Sequence, residues 1–307
     1  MKLRNLFPFA AIIGMFILGQ ATAWADTLQN QYFWNDGESY AAFTMGTGTT
    51  TLLMTNGSAI TGDVAIGNSN SVVSFDNSVN TINGNLYYYP GTTFYGAPVY
   101  TGSSNFVAHH AIQGNPTTLD TQRNQLISAS GALGALPNAI NYASPDTGGG
   151  RTLVYKPGNL NLNMSGQSIT ITGTANTQSV LNLNSFTLAN STLTLSGNAN
   201  TKFVFNISAQ GASPSGSFRL SNSQVLLSGG LTEDNVVFNI EGLPASPDTY
   251  NMQASILHGS VLAPSRTFVM NSIIVGGNPV GSTVDGVVAA SGIVLQNSTI
   301  VQTPSSQ

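Results

Sequence analysis

Aliphatic and polar residues alternate in short runs along most of the chain. In GQSITITG, Ile169 and Ile171 fall on one face and Thr170 and Thr172 on the other. In STLTLSG, Leu193 and Leu195 likewise oppose Thr192 and Thr194. KFVFNIS and NVVFNIE are similar β-branched and aromatic runs, closed by Gly, Asn or Ser, and each reads as a strand. Residues 26–104 add TTTLLMT, SAITGDVAIG, SVVSF, GNLYYYPG and TTFYGAPVY.

The strands recur with a period. LANSTLTLSG at 188–197 returns as LSNSQVLLSG at 220–229, VMNSIIVGG at 269–277 and LQNSTIVQT at 295–303. FVFNI at 203–207 and VVFNI at 236–240 share four residues at an offset of 33. Repeats of this length point to stacked β architecture. Asn and Gly between the runs accept the left-handed backbone of a sharp corner, so Asn-Ser reads as a corner and the residues after it as a strand. These features predict a mainly β fold, an irregular β-solenoid. A two-sheet sandwich uses similar strands, and the internal repeat favours the solenoid. Stacked coils would place Asn206 over Asn239 as an amide ladder.

One segment breaks the pattern. NPTTLDTQRNQLISASGALGALPN, 115–138, has Leu119, Leu126 and Leu133 at seven-residue spacing, with Ile127 and Leu136 beside them. It predicts one long helix over about 117–135, capped by Thr117 or Thr118 and stopped before Pro137. Its apolar stripe must lie along the sheet stack. Aligning the Asn-Ser repeats gives the outward pairs Thr192/Thr194, Gln224/Leu226, Ile273/Val275 and Thr299/Val301. The last two coils are then apolar on both faces, and the helix is the expected cover.

The first 25 residues stand apart. A basic start (Lys2, Arg4), an apolar run from Leu6 to Leu18 and Ala23-Trp24-Ala25 make a signal peptide cleaved near Ala25. The expected organisation is a signal at 1–25, one solenoid domain with inserted helix at 26–303 and a tail at 304–307. No later run is long enough for a membrane span. Six basic and 12 acidic residues then remain, far fewer than the roughly one-quarter charged content of ordinary domains. Nucleic-acid binding is excluded by the missing basic footprint, and with no cysteine the fold has no disulfides.

Candidate chemistry is sparse. The acids are scattered: Glu233-Asp234 in a turn, Asp248 in a Pro-rich loop, and Asp63, Asp76 and Asp285 on separate strands or corners. Turn and cap duty accounts for most of them, and only folded proximity would make a catalytic pair. His109-His110 and the distant His258 lack the partners of a metal site. Gly148-Gly149-Gly150 before Arg151 lacks the Lys-Ser/Thr ending of a phosphate loop. No catalytic group, metal or cofactor is expected. Tyr87 and Tyr89 share a strand face in LYYYPGTTFYGAPVY, 86–100; they either stack on sugar rings or fill the seam between sheet and helix, with packing favoured.

HGSVLAPSRTFVMNS, 258–272, followed by VDGVVAASGIVLQNSTI, 284–300, resembles the late signature of the choice-of-anchor A family of secreted bacterial β-solenoids, and SGALGALP, 130–137, is similar to the end of that family's helix. ITGDVAIG, a mid-chain helix and a closing pair of coils from NVVFNIEG resemble the ice-binding-like family. The resemblance covers about 40–303. It implies an exported solenoid with one long helix along it and no catalytic apparatus. No sorting signal or membrane tail appears at the end, which departs from anchor-bearing relatives. Ice binding would want a flat face of hydroxyl and methyl groups, and the aligned pairs hold Thr in two of four coils.

The function expected is therefore a secreted, monomeric, non-enzymatic module for adhesion or matrix binding. Its partner would be an extended surface (ice, glycan or matrix polymer) met by a neutral Thr/Ser/Asn face. Candidate contacts are Thr170, Thr172, Thr192, Thr194, Tyr87 and Tyr89. Ice binding is the alternative, and a polysaccharide-active enzyme a distant third.

Overall fold

The computed structural model describes residues 27–33, 39–46, 50–100, 111–139, 160–208, 218–241 and 251–302. The signal region, His109-His110, Asp248, Gly148–Gly150 and the tail lie outside the described residues.

The chain is a β-solenoid with three faces. Nine parallel strands form the open face, in the spatial order Ser168–Thr172, Thr192–Ser196, Gln224–Ser228, Ile256–His258, Thr283–Asp285, Thr299–Val301, Ala59–Thr61, Thr81–Asn83 and Val99–Tyr100. A 15-stranded sheet supplies the other two faces. It does so because Gln178–Ala189, Ser260–Asn271 and Val288–Gln296 pair with one set of neighbours over their first residues and another over their last. The covered face carries the first halves of these strands, together with Lys202–Ile207, Val236–Ile240 and Ala42–Thr44. The middle face carries the second halves, with Phe218–Ser221, Thr50–Thr55 and Val72–Phe75.

The coils do not stack in chain order. The coil at 42–61 lies on the coil at 288–301, with Phe43 opposite Ala289 and Ala59 opposite Thr299. The stack therefore runs from 160 through 301 and resumes at 42, ending with 86–113.

Alternation fills the interior. Ile169, Leu193, Val225, Leu257, Val284, Ile300, Ile60 and Ile82 form one in-register inward column, all buried. Phe205 stacks on Phe238 at 4.9 Å and Phe186 on Phe218 at 5.5 Å. Identical residues recur at the spacing of one coil because each coil fills the same cross-section.

The corner between middle and open faces explains the Asn-Ser repeat. Asn190, Asn222 and Asn297 take φ of 48°, 47° and 45°, the left-handed turn that Asn tolerates better than most side chains. Each following serine is buried, and its hydroxyl bridges two coils. Ser223 Oγ accepts from Ser191 N at 3.1 Å and donates to Ser221 O at 2.7 Å. Ser255, Ser282, Ser298 and Ser58 continue the ladder, each hydroxyl accepting the backbone N–H of the preceding serine at 3.1–3.3 Å.

The α-helices among the described residues are α1 (Leu28–Tyr32) and α2 (Pro116–Gly134). The α2 N-cap is Asn115, whose Oδ1 accepts from Thr117 N at 2.9 Å, rather than Thr117 or Thr118. Asn115 wins because Pro116, which has no N–H to satisfy, takes the first helical position. Leu119, Leu126 and Leu133 are buried as their spacing predicts, whereas Ile127 is exposed.

They pack on Val180, Val204, Val237, Leu262 and Ala289 of the covered face, not on the strands that follow the Asn-Ser corners. The covered face attracts the helix because its outward column is aliphatic and carries an amide ladder. Asn239 Nδ2 donates to Asn206 Oδ1 at 3.0 Å, and Asn206 Nδ2 to Asn182 Oδ1 at 2.9 Å. The same amides serve the end of α2: Asn206 Nδ2 donates to Leu133 O at 2.7 Å and Asn239 Nδ2 to Ser130 O at 3.0 Å. Leu133 lies in the last turn, where the intrahelical i+4 ladder has run out.

Replacing Ser223 by Ala would leave the buried Ser191 N–H unpaired. The expected loss is about 1–3 kcal/mol of stability, measured by urea unfolding. Asn222→Ala, exposed at the same corner, should lose less.

Candidate functional site

The open face is the candidate site, because alternation leaves its outward side chains uncovered. Both described helices pack on the opposite side, against the covered face and each other. Two outward columns run its length in register. The first is Ser168, Thr192, Gln224, Ile256, Thr283, Thr299, Ala59, Thr81 and Val99. The second is Thr170, Thr194, Leu226, His258, Asp285, Val301, Thr61 and Asn83. Thr170 and Thr172 are exposed, while Thr192 and Thr194 are half-buried between neighbouring rows.

The alignment of Asn-Ser repeats misplaces one pair. Ile273–Val275 pairs antiparallel with Asn278–Val280 in a projecting hairpin, which leaves Ile274 69% exposed. Gly276 and Gly277, at φ 59° and 85°, make the tight turn between them. The open-face strand of that coil is Thr283–Asp285, and Ser282 takes the corner role that Ser272 was expected to hold. The apparent loss of Thr in this coil is thus a hairpin insertion, and the first column holds Thr283 there.

Tyr87 and Tyr89 lie elsewhere. Tyr87 packs edge-on to Tyr40 at 5.8 Å, beside the helix core. Tyr89 Oη donates to Asp120 Oδ2 at 3.1 Å, and Asp120 also pairs with Arg123 at 2.8 Å. Both tyrosines sit in the seam of α2 and share no surface with the four threonines.

The acids are less scattered than the sequence suggests. Asp63 and Asp76 hold turns: Asp63 accepts from Asn85 N, and Asp76 from Asn56 N, Ser78 N and Asn80 Nδ2. For Asp76, slight burial works to raise its pKa, and bonds from Ser78, Asn56 and Asn80 outweigh it, giving about 2. Glu233, Asp234 and Asp285, by contrast, lie close enough to act on one another. Burial, then Glu233 and Asp285, push Asp234 up to about 6. His258 Nδ1 bonds Asp285 Oδ2 at 3.0 Å, and that bond raises the histidine against the opposing effect of burial. The pair interrupts an otherwise neutral face midway along its length. No group of three or more His, Cys, Asp or Glu able to hold a metal occurs among the described residues.

A parallel β-solenoid with a lateral helix and one bare sheet face defines the class. Residues 14–299 match the family described as "Putative Ice-binding-like adhesive domain", and the chain belongs to that family. Among solved structures, the ice-binding protein of an Antarctic Flavobacteriaceae bacterium is similar over 92% of this chain, with 20% identity and a TM-score of 0.52. The chain spans 49% of that protein's length, and the likeness establishes a shared fold. A domain of an ice-binding protein from Shewanella frigidimarina aligns at 18% identity and TM-score 0.49, covering 86% of this chain and 93% of that one. The ice-binding protein of the Antarctic ascomycete Antarctomyces psychrotrophicus aligns at 17% and 0.47, covering 86% and 94%. No curated protein matches the chain.

The charge cluster makes stability depend on pH. Folding raises Asp234 from 3.8 to about 6, so the folded state holds the extra proton and stability falls as pH rises across that window. His258 is also raised from 6.5, so its contribution is complete below 6.5 and lost as pH climbs through the folded value. Asp234→Asn should therefore melt higher than the parent at pH 7.5 and lose that advantage at pH 3.5, in thermal unfolding followed by circular dichroism.

Proposed function

We propose that this chain is an exported, non-enzymatic, monomeric module of one body over residues 26–303 that binds ice through its open face. The observation that supports this most is the uncovered nine-stranded parallel sheet, with Thr170, Thr172, Thr192 and Thr194 at one end and Thr283, Thr299, Thr61 and Thr81 toward the other. Parallel strands repeat every ~4.7–4.9 Å, so within each of the two Thr-bearing stretches neighbouring threonines present methyl and hydroxyl groups at that spacing, on either side of the strands that hold Gln224, Leu226, Ile256 and His258. A neutral face is what a crystalline water lattice can meet, since a charged side chain would keep its own hydration shell. The family description, and the ice-binding protein of the Flavobacteriaceae bacterium that shares the fold, agree with this reading. The basic start and apolar run of the N-terminal 25 residues support export, and no described helix is long and apolar enough to cross a membrane. No cofactor is needed.

Adhesion to a glycan is the second reading. A shallow groove of about 490 Å³ on the middle face, lined by Asn163, Thr187, Arg219 and Ser221, favours it. Such a groove offers hydrogen bonds to a sugar chain rather than a flat lattice.

Ice recrystallisation assays test the two. The protein should restrain grain growth. Thr192→Tyr with Thr299→Tyr should abolish the effect at unchanged melting temperature, whereas Ile127→Lys on the outer side of α2 should leave it intact. Absence of any effect on ice, with glycan binding lost on Arg219→Ala, would replace the ice reading by adhesion.

A further inference from the structure

We infer that the coil at 288–301 is the docking surface on which residues 42–100 assemble, so that the N-terminal coils acquire their structure only after the later coils have formed. The strand pairings carry this. Ala42–Thr44 pairs with 288–290, Thr50–Thr55 with 293–296 and Ala59–Thr61 with 299–301. Among the described strands, none within 42–100 pairs with any in 160–285. Every β contact from the N-terminal coils to the rest of the stack thus passes through one coil-to-coil junction.

That junction is built rather than incidental. The serine ladder crosses it at Ser298 N to Ser58 Oγ, 3.3 Å, between residues 240 apart in sequence. Gly46 N donates to Ser291 O at 2.7 Å, and a Cβ on Gly46 would stand 2.5 Å from that same oxygen. Only glycine allows the two coils to close there.

The N-terminal coils are poorly equipped to stand alone. Most of their strands are three residues long, and strands this short persist only when paired on a formed sheet. Undocked, they would also expose the edge that buries Ala42, Leu52, Met54 and Ile60. The coils within 42–100 do stack on one another in sequence order, but through pairings of two to four residues, whereas the 178–301 part contains the long strands Gln178–Ala189, Ser260–Asn271 and Val288–Gln296. α2 spans the junction: Arg123 bonds Gly67 O and Asp120 accepts from Tyr89 Oη on one side, while Asn206 and Asn239 bond Leu133 O and Ser130 O on the other, so it can settle only after both are placed. The strands at 59–61, 81–83 and 99–100 join the open face in the same step, and that face is complete only when docking is. This inference rests on the pairing order and not on what the open face binds.

Hydrogen exchange on the full chain tests it. Gly46→Val should weaken the junction and raise exchange across 42–100 as a block, by roughly 100-fold, with 178–285 unchanged. Gly173→Val, which meets Thr201 and Phe203 at the far end of the stack, should leave 42–100 protected. The dependence should also be one-way: Val73→Asp should leave 288–301 protected, whereas Ile293→Asp should release 42–100. In pulse-labelled refolding of the unaltered chain, amides at 42–61 should gain protection after those at 288–296. Protection of 42–61 before 288–296, or its survival in both Gly46→Val and Ile293→Asp, would overturn the inference. The refolding result decides the matter should either variant fail to fold.

Discussion

Everything in this fold depends on the buried hydroxyl at the corner between the middle and open faces. A solenoid coil must turn sharply there, and the turn removes a backbone N–H from the sheet ladders while burying it. Ser223, one coil over from Ser191, accepts that N–H and donates its own proton to a carbonyl two residues back, so one side chain settles two backbone groups. An unpaired buried amide costs about 1–3 kcal/mol. Five successive contacts of this kind, from Ser191 to Ser58, make the corner a continuous seam. Asparagine before the serine is secondary: Ala254 holds φ 46° at the same place, and the ladder continues through Ser255.

A second ladder decides which face works and which is covered. Asn182, Asn206 and Asn239 point outward from the covered face and hold carbonyls at the end of α2 while bonding to one another. Together with the aliphatic column at Val180, Val204, Val237 and Leu262, they give the helix a place that is apolar along most of its length and polar where its backbone ends. No corresponding amide row serves a helix on the open face. Its outward threonines are left to solvent, a division of labour that follows from two different outward columns.

Much of this was legible in the sequence. Alternation located Ile169/Ile171 and Leu193/Leu195 inside, the 33-residue offset placed Asn206 beside Asn239, and the leucine heptad marked the helix. What stayed hidden has physical causes. Asn271-Ser272 has the same residues as a corner, but the following hairpin displaces the turn to Gly281-Ser282, and a local motif cannot register an insertion beside it. Sequence alone places the helix on the wrong face because Ile273 and Val275, which belong to a hairpin, read as an outward apolar pair. The grouping of Glu233, Asp234, His258 and Asp285 arises from stacking residues about one coil apart, which spacing could have suggested only once the corners were correctly aligned.

The open face is uneven for the same reason that the stack is out of order. Two Thr-rich stretches, one at 168–196 and one from 283 onward through 81, meet at the strands holding Gln224, Leu226, Ile256 and His258. The second stretch is itself assembled from the two ends of the chain, because the coil at 42–61 lies on the coil at 288–301. Thr299 and Ala59 are neighbours on the surface while lying 240 residues apart in the chain. A grid built this way is regular only if the junction at Gly46 and Ser58 keeps the same coil spacing as the rest of the stack. The serine ladder, by passing unbroken from Ser298 to Ser58, imposes that spacing. The corner that lets the chain fold thus also sets the regularity of the surface it presents.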